Sequence, residues 1–277
     1  MSIKFPTFNN TIIVVVSYNP NVEEFIKNID RFINIAAKVV IVDNNSSIDI
    51  TSLILHYNNV YLIKSENNKG IAWGLNQGIN KALCLGAEFI LTFDQDSFPI
   101  NNILAVYAKQ IINFKLKSPI LMGTTYCEKA LEIYESKFTQ TLTLITSGTL
   151  HSRDLFYKVG FYDEELFIDS VDFDYSIRVH NMGIPTIKSQ LPMISHHLGA
   201  PIIKNGLKST NHSKLRRYYM ARNNIIISRR YIFSNPLWIV KKNVFFLVDI
   251  IKLLIVESHK YSKIKSIYRG LIDGFKF

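Results

Sequence analysis

The chain has 277 residues, 48% hydrophobic and 19% charged, a balance that excludes disorder and suits one large α/β domain or a catalytic domain with a helical appendage. Its formal charge of +10 calls for an anionic partner: nucleic acid, an acidic bilayer surface or a phosphorylated substrate. From Lys204 onward 16 Lys and Arg face three acids (Asp249, Glu257 and Asp273), whereas the first 203 residues carry 16 against 19, so a basic tail follows a slightly acidic body.

Cys84 and Cys127 lack metal-ligand spacing and read as packing thiols in a reducing compartment. The opening MSIKFPTFNN shows no secretory signal, and a cytoplasmic protein is expected.

Ile12 to Ser17 is a β-branched run stopped by Tyr18-Asn19-Pro20, the pattern of a strand buried on both faces. Val22, Phe25, Ile26, Ile29, Phe32 and Ile33 then keep helical spacing. Val39–Val42, Val60–Ile63 and Phe89–Phe93 predict further strands, with helical stretches over 50–56 and 74–85 between them. Such alternation predicts an α/β fold with a mostly parallel sheet and helices on both faces, whose ligands bind beyond the carboxyl ends of the strands. Downstream, the sequence predicts an extended segment over 142–150, a short helix from Arg153, a helix over 170–182, and long helices over 215–230 and 237–260.

The strand ends are polar. Asp94 and Asp96 flank Gln95, and the two carboxylates reach one ligand only if the chain turns, which Ser97-Phe98-Pro99 would provide. Paired hard oxygens beside a diphosphate suit Mg²⁺ or Mn²⁺, and a solvated loop is the alternative. Asp43 can accept hydrogen bonds from the base or ribose of a nucleotide, or cap an Asn/Asp/Ser turn. Between Asn67 and Gly78 three glycines permit close backbone approach to a ligand, in neither a Walker nor a GxGxxG arrangement.

Taken in order, VVVSYNP, VDNNSS, NNKGIAWGLNQGI and FDQDS resemble the motifs of family 2 inverting glycosyltransferases with the GT-A fold, and FDQDS looks most like bacterial rhamnosyltransferases that use dTDP-L-rhamnose. The likeness continues through SGTLHSRDLFYKVGFYDEELFIDSVDFDYSIRVHNMG and covers residues 11 to 235. It implies a catalytic GT-A domain over 1–210 and a basic helical extension over 211–277. It also implies that Ser17, Tyr18, Asn19 and Asp43 line the base and ribose pocket. Asn68, Gly70, Asn76, Asp94, Gln95 and Arg222 would border the rest of the donor, and Asp94 and Asp96 would hold the metal. Where the family has an acidic pair before its catalytic helix, this chain has Val171-Asp172, so Asp172 is the expected base and Asp169 the second candidate. Single displacement needs such a carboxylate to take the acceptor proton, with cationic groups on the leaving diphosphate.

His196-His197 follows a short apolar strand, where similar enzymes set a histidine against metal or diphosphate; His197 is the expected ligand, with His196 as its alternative. Arg216, Arg217, Tyr219, Arg222 and Asn223 share a helix, and arginine forks suit phosphate, yet Arg217 and Arg222 cannot both face one point. Lys242, Asp249, Lys252 and Lys260 place a polar stripe on a greasy helix, expected to lie in a bilayer interface rather than cross it. Docking on the catalytic domain or in a homodimer is the alternative.

The resulting expectation is a metal-dependent glycosyltransferase on the inner face of the plasma membrane, moving L-rhamnose to a polyprenyl-diphosphate-linked glycan. Another nucleotide sugar such as a UDP-hexose is the alternative within the class. A nucleic-acid-binding module is the alternative outside it, and it lacks the basic residues interleaved with aromatics on a sheet face that such modules use.

Overall fold

Thr11–Ser17, buried at all seven positions, is strand β1, and its β-branched side chains fit a sheet covered on both faces. The computed structural model describes residues 3–127, 137–196, 202–204 and 206–277, without the His196 side chain. It divides into two compact units, Met1–Glu164 with Asp172–His197, and Glu165–Val171 with Leu198–Phe277.

In the first unit α1 (Val22–Ile33), β2 (Lys38–Asp43), α2 (Ile50–Ile54), β3 (Val60–Lys64), α3 (Ile71–Cys84) and β4 (Phe89–Asp94) follow β1. Strand β1 lies between β2 and β4, with β3 beyond β2, all parallel. The apolar face of α1 buries Phe25, Ile29 and Phe32 in a core with Ile13, Val15 and Ile41.

Past β4 come β5 (Ser97–Pro99), α4 (Ile103–Asn113), β6 (Leu121–Cys127), β7 (Phe138–Gln140), β8 (Thr149–Ser152), α5 (Asp154–Lys158), α6 (Val171–Asn181) and β9 (Thr186–His196). These strands extend the sheet in the order β4-β8-β6-β9-β5, mostly antiparallel. The extended segment expected over 142–150 reaches into β8 and the apolar strand expected before His196 is the end of β9, whereas β5, β6, β7 and α4 were not expected; β5 and β7, at three residues each, are too short to carry a pattern of their own. Ser97-Phe98-Pro99 is a strand paired with Ile194–His196; the chain turns one step earlier, at Gln95-Asp96.

Two glycines of the Asn67–Gly78 stretch also serve packing rather than a ligand. A Cβ on Gly74 would lie 2.6 Å from Val16 Cγ1, and one on Gly78 2.3 Å from Val14 Cγ1, so both let α3 approach β1. Gly70 keeps the loop role, at φ 87°, where a side chain would be strained.

The second unit contains β10 (Ile202–Lys204) paired antiparallel with β11 (Leu207–Ser209), then α7 (Lys214–Tyr231), α8 (Pro236–Val256) and α9 (Lys260–Lys276). The single helix expected over 237–260 is interrupted by an extended Glu257 and a left-handed His259. Glu257 is buried and accepts from Arg217, Ser209 and Lys263, which turns the chain there. Arg217, 1% exposed, also meets Asp249. It is therefore a structural ion-pair centre rather than a phosphate ligand.

Helix α8 has the polar stripe and the apolar face read from the sequence. Its polar stripe faces α7: Lys242 donates to Asn224, Asn243 to Ser228, and Asp249 meets Arg217. Burial pushes the Lys242 ammonium down to about 8, with the Asp169 charge opposing that fall. The exposed side carries Leu237, Val244, Phe245, Leu247 and Ile251, between 53% and 86% exposed. Among the described residues no helix is long and apolar enough to cross a membrane.

Gly270 and Gly274 bring α9 against the α7 backbone, where a Cβ at Gly270 would stand 2.3 Å from the Tyr218 carbonyl oxygen. An exposed helical Gly→Ala change usually stabilises by ~0.4–1 kcal/mol. Here the sign reverses: Gly270→Ala is expected to destabilise by ~1–3 kcal/mol through overpacking, read as a lower urea midpoint. A raised midpoint would show that α9 shifts freely on α7.

Candidate active site

The parallel register levels three strand ends. Ser17 pairs with Asp43, and Val16 with Asp94, so the carboxyl ends of β1, β2 and β4 form one polar edge. Asp43 is 2% exposed and its Oδ1 accepts from the Ser46 amide at 3.0 Å. Ser17 is fully buried and its hydroxyl has no hydrogen-bond partner among the described residues. A buried hydroxyl left in that state is costly and points to a ligand or ordered water.

Side-chain amides lace the loops of this edge together. Gln95 Oε1 accepts from the Tyr18 amide at 2.7 Å and its Nε2 donates to the Tyr18 carbonyl at 3.2 Å, so Gln95 brackets the Tyr18 backbone and leaves its ring 47% exposed. Asn19, at φ 47°, accepts from both the amide and the hydroxyl of Ser47, and its own amide donates to Ser46 Oγ at 2.8 Å. Asn44, absent from the sequence-based candidates, is buried and bonds Asn68 Oδ1, the Gly70 carbonyl and the Lys69 amide. Asn68 Oδ1 in turn accepts from the Gly70 amide at 3.0 Å. The Asn-Asn-Ser-Ser run after Asp43 was the available signal, since such residues bond neighbouring backbone.

Asp94 ends β4 and Asp96 is the second residue of the Gln95-Asp96 turn that follows. Ser147 Oγ donates to Asp94 Oδ2 at 2.6 Å and accepts from the Asp94 amide at 2.8 Å, a partner 53 positions away that no local pattern reveals. His196 pairs by backbone with Ser97, directly after Asp96; His197 lies outside the described residues. No cluster of three or more His, Cys, Asp or Glu gathers as a metal site among the described residues. Two carboxylates on one turn nevertheless fit a hard cation that takes its remaining ligands from phosphates and water.

Asn76 lies on the buried face of α3. Its amide holds the Tyr162 backbone from both sides, at 2.9 and 3.0 Å, and donates to Glu164 at 2.8 Å. The Tyr162 hydroxyl lies 2.8 Å from His151 Nε2. Burial lowers His151 to about 4, so the ring is neutral; with Nδ1 facing the Ile90 carbonyl, Nε2 accepts from Tyr162. Burial raises the Tyr162 phenol well above its usual range, and the charges of Asp172 and Asp94 push the same way.

Asp172 stands in the first turn of α6, where its Oδ1 accepts from the Phe173 amide at 2.9 Å. In the second unit Asp169 is gripped by Arg216 through Nε and NH2 at 3.0 to 3.2 Å. There, too, Arg222 donates to the Glu165 carbonyl and lies 4.8 Å from the Tyr219 ring centre.

Residues 12–113 match the family described as glycosyl transferase family 2. The chain is 29% identical over 290 residues, 97% of its length and 96% of the relative's, to the dTDP-rhamnosyl transferase RfbF of Shigella flexneri. It is 26% identical over 200 residues, 62% of each chain, to the low-salt glycan biosynthesis hexosyltransferase Agl10 of Haloferax volcanii. Among solved structures, GalNAc-T7 with UDP, GalNAc and Mn²⁺ superposes with a TM-score of 0.60 at 15% identity, over 79% of this chain and 47% of that one. S. aureus TarS 1–349 with UDP-GlcNAc does so at 0.52 and 14%, over 97% and 73%. These neighbours share the GT-A fold. A parallel sheet with its polar residues at the carboxyl edge, a family match over that half and a near full-length glycosyltransferase relative agree: residues 12–113 are a glycosyl transferase family 2 domain, and the chain is a glycosyltransferase.

Proposed function

We propose that the chain is an inverting, divalent-metal-dependent rhamnosyltransferase that moves L-rhamnose from dTDP-β-L-rhamnose to a lipid-linked surface-polysaccharide acceptor. The observation that carries this reading is the levelled edge at which Ser17, Asp43 and Asp94 end adjacent strands; the near full-length likeness to a dTDP-rhamnosyl transferase supports the donor. A nucleotide's polar edge would satisfy the Ser17 hydroxyl, with Asp43 accepting from base or ribose, Tyr18 and Asn19 beside it, and Asn68 and Gly70 at the diphosphate loop. Asp94 and Asp96 would hold Mg²⁺ or Mn²⁺, which supplies positive charge to the leaving diphosphate. Asp172 takes the acceptor hydroxyl proton as that oxygen bonds to the sugar's anomeric carbon, whose bond to the diphosphate breaks, releasing dTDP. Asp169 suits this role less, because Arg216 occupies its carboxylate.

Hydrolysis of dTDP-, UDP- and GDP-sugars, with and without Mn²⁺, tests the donor. Release of dTDP from dTDP-L-rhamnose above all others is expected. Preferential turnover of a UDP-hexose would replace the donor while leaving the reaction class intact.

The acceptor's lipid motivates the second part of the proposal, peripheral contact with anionic membrane at the cytoplasmic face. Helix α8 turns its apolar side outward, and the three acids after Lys204 have inward partners: Asp249 and Glu257 with Arg217, Asp273 with Tyr218. Arg217 and Lys263 are buried against these acids, and the remaining basic residues of the region would supply the positive charge that attracts anionic lipid. The protein is expected to sediment with vesicles containing anionic lipid and to be released at 1 M salt, where the Debye length falls to ~3 Å. Phe245→Ser with Ile251→Ser should weaken sedimentation. Absence of vesicle binding together with a dimer on sizing would assign the face to a second copy instead.

A further inference from the structure

The segment before α6 is held in an improbable conformation. Phe167, Asp169 and Ser170 have φ of 59°, 66° and 64°, so three non-glycine residues out of four lie in the left-handed region. Such conformations persist only where their surroundings over-determine them, and they concentrate at functional sites. Within the second unit one face of α7 supplies that determination. Asn223, fully buried, points its amide nitrogen at the carbonyl oxygens of Leu166, Ile168 and Asp169, at 2.7, 2.8 and 2.8 Å. Arg216 grips the Asp169 carboxylate, Arg222 donates to the Glu165 carbonyl, and Tyr219 stacks on Phe167 with ring centres 4.6 Å apart and planes 13° apart. Positions 216, 219 and 223 are three and four residues apart, hence on one helical face. Of the arginines on α7, Arg216 thus holds a side chain of this segment and Arg222 its backbone.

That turn runs through Val171 directly into Asp172. We propose that Asn223 is a positioning residue for transfer: by fixing the left-handed turn Phe167–Ser170 it fixes where the chain enters α6, and so where the Asp172 carboxylate stands relative to the acceptor hydroxyl. This rests on the reading of Asp172 as the base. Two N–H groups serving three carbonyls cannot be replaced by a residue without donors, and without them the strained turn relaxes. Proton abstraction is sensitive to such displacements, whereas the nucleotide contacts at Ser17 and Asp43 lie on other segments.

The test compares Asn223→Ala, Arg216→Ala and Asp172→Asn in hydrolysis of dTDP-L-rhamnose with Mn²⁺, alongside dTDP affinity by calorimetry and hydrogen exchange of amides 165–171. Asn223→Ala is expected to lower kcat by ~10–100-fold, as for misplaced catalytic groups, to leave dTDP affinity unchanged and to speed exchange in 165–171 alone. Adding Ser170→Gly should recover part of kcat, because glycine adopts positive φ without strain. In an Asp172→Asn background Asn223→Ala should cost little more, the non-additivity of residues acting through one group. If Asn223→Ala does not fold, Arg216→Ala, on the exposed side of the clamp, must show the same split. Unchanged kcat in the folded variants, an equal loss of dTDP affinity, or full additivity with Asp172→Asn overturns the proposal. Full turnover of Asp172→Asn combined with a crippled Asn223→Ala would instead reject Asp172 as the base and leave the turn positioning another group.

Discussion

Asp172→Asn is expected to lower turnover by ~10²–10⁴-fold, the usual share of general-base catalysis, with dTDP binding retained. The substitution suits the site because Asp172 Oδ1 accepts from the Phe173 amide, and an asparagine oxygen preserves that bond at the helix start. What it removes is the ability to take a proton. A second effect is electrostatic: the Asp172 charge contributes to raising the Tyr162 phenol, so that shift should shrink in the variant. Asp169→Asn separates the two candidates. Its carboxylate is paired with Arg216, and its loss should loosen the turn without removing the base. Wild-type turnover of Asp172→Asn with loss confined to Asp169→Asn would reverse the assignment.

Asp94→Ala and Asp96→Ala are each expected to reduce transfer to background, at least ~10³-fold, because they remove charge that would hold the cation at the leaving diphosphate. The two differ in their structural consequence. Asp94 also receives the Ser147 hydroxyl, so Asp94→Ala leaves that donor without its acceptor and should cost ~1 kcal/mol of stability. Asp94→Asn keeps the hydrogen bond while weakening cation binding, which separates the structural effect from the electrostatic one. Mn²⁺ affinity by calorimetry should fall in all three variants. Wild-type activity of both alanine variants in the presence of chelator would eliminate the metal reading.

The interior of the fold's first half was legible because burial on both faces demands long apolar β-branched runs. Thr11–Ser17, Lys38–Asp43 and Phe89–Asp94 have little alternative as strands, and each carries its polar cluster where the run stops. The antiparallel half was legible only in part, as the extended stretch over 142–150 and the apolar strand before His196, because three- and four-residue strands such as Ser97–Pro99 and Thr149–Ser152 are defined by their partners rather than by their own composition.

Directions and distant partners belonged to the tertiary structure. Periodicity shows that α8 has two faces, but only Arg217, Asn224 and Ser228 on α7 decide that the polar one turns inward. Glycine spacing shows that α3 can approach something closely; Val14 and Val16 make that neighbour β1 rather than a ligand. The Gln95 bracket on Tyr18, the Ser147 bond to Asp94 and the Asn223 clamp on the turn before Asp172 join positions between 53 and 77 residues apart. The sequence by itself determined the parallel strands, the order of the polar strand ends and the charge asymmetry, since each follows from the local composition of one segment. Which side chains face the site and which hold its loops was decided only in the folded chain, because a hydrogen bond depends on distance in space, and no local pattern encodes a partner that arrives from another segment.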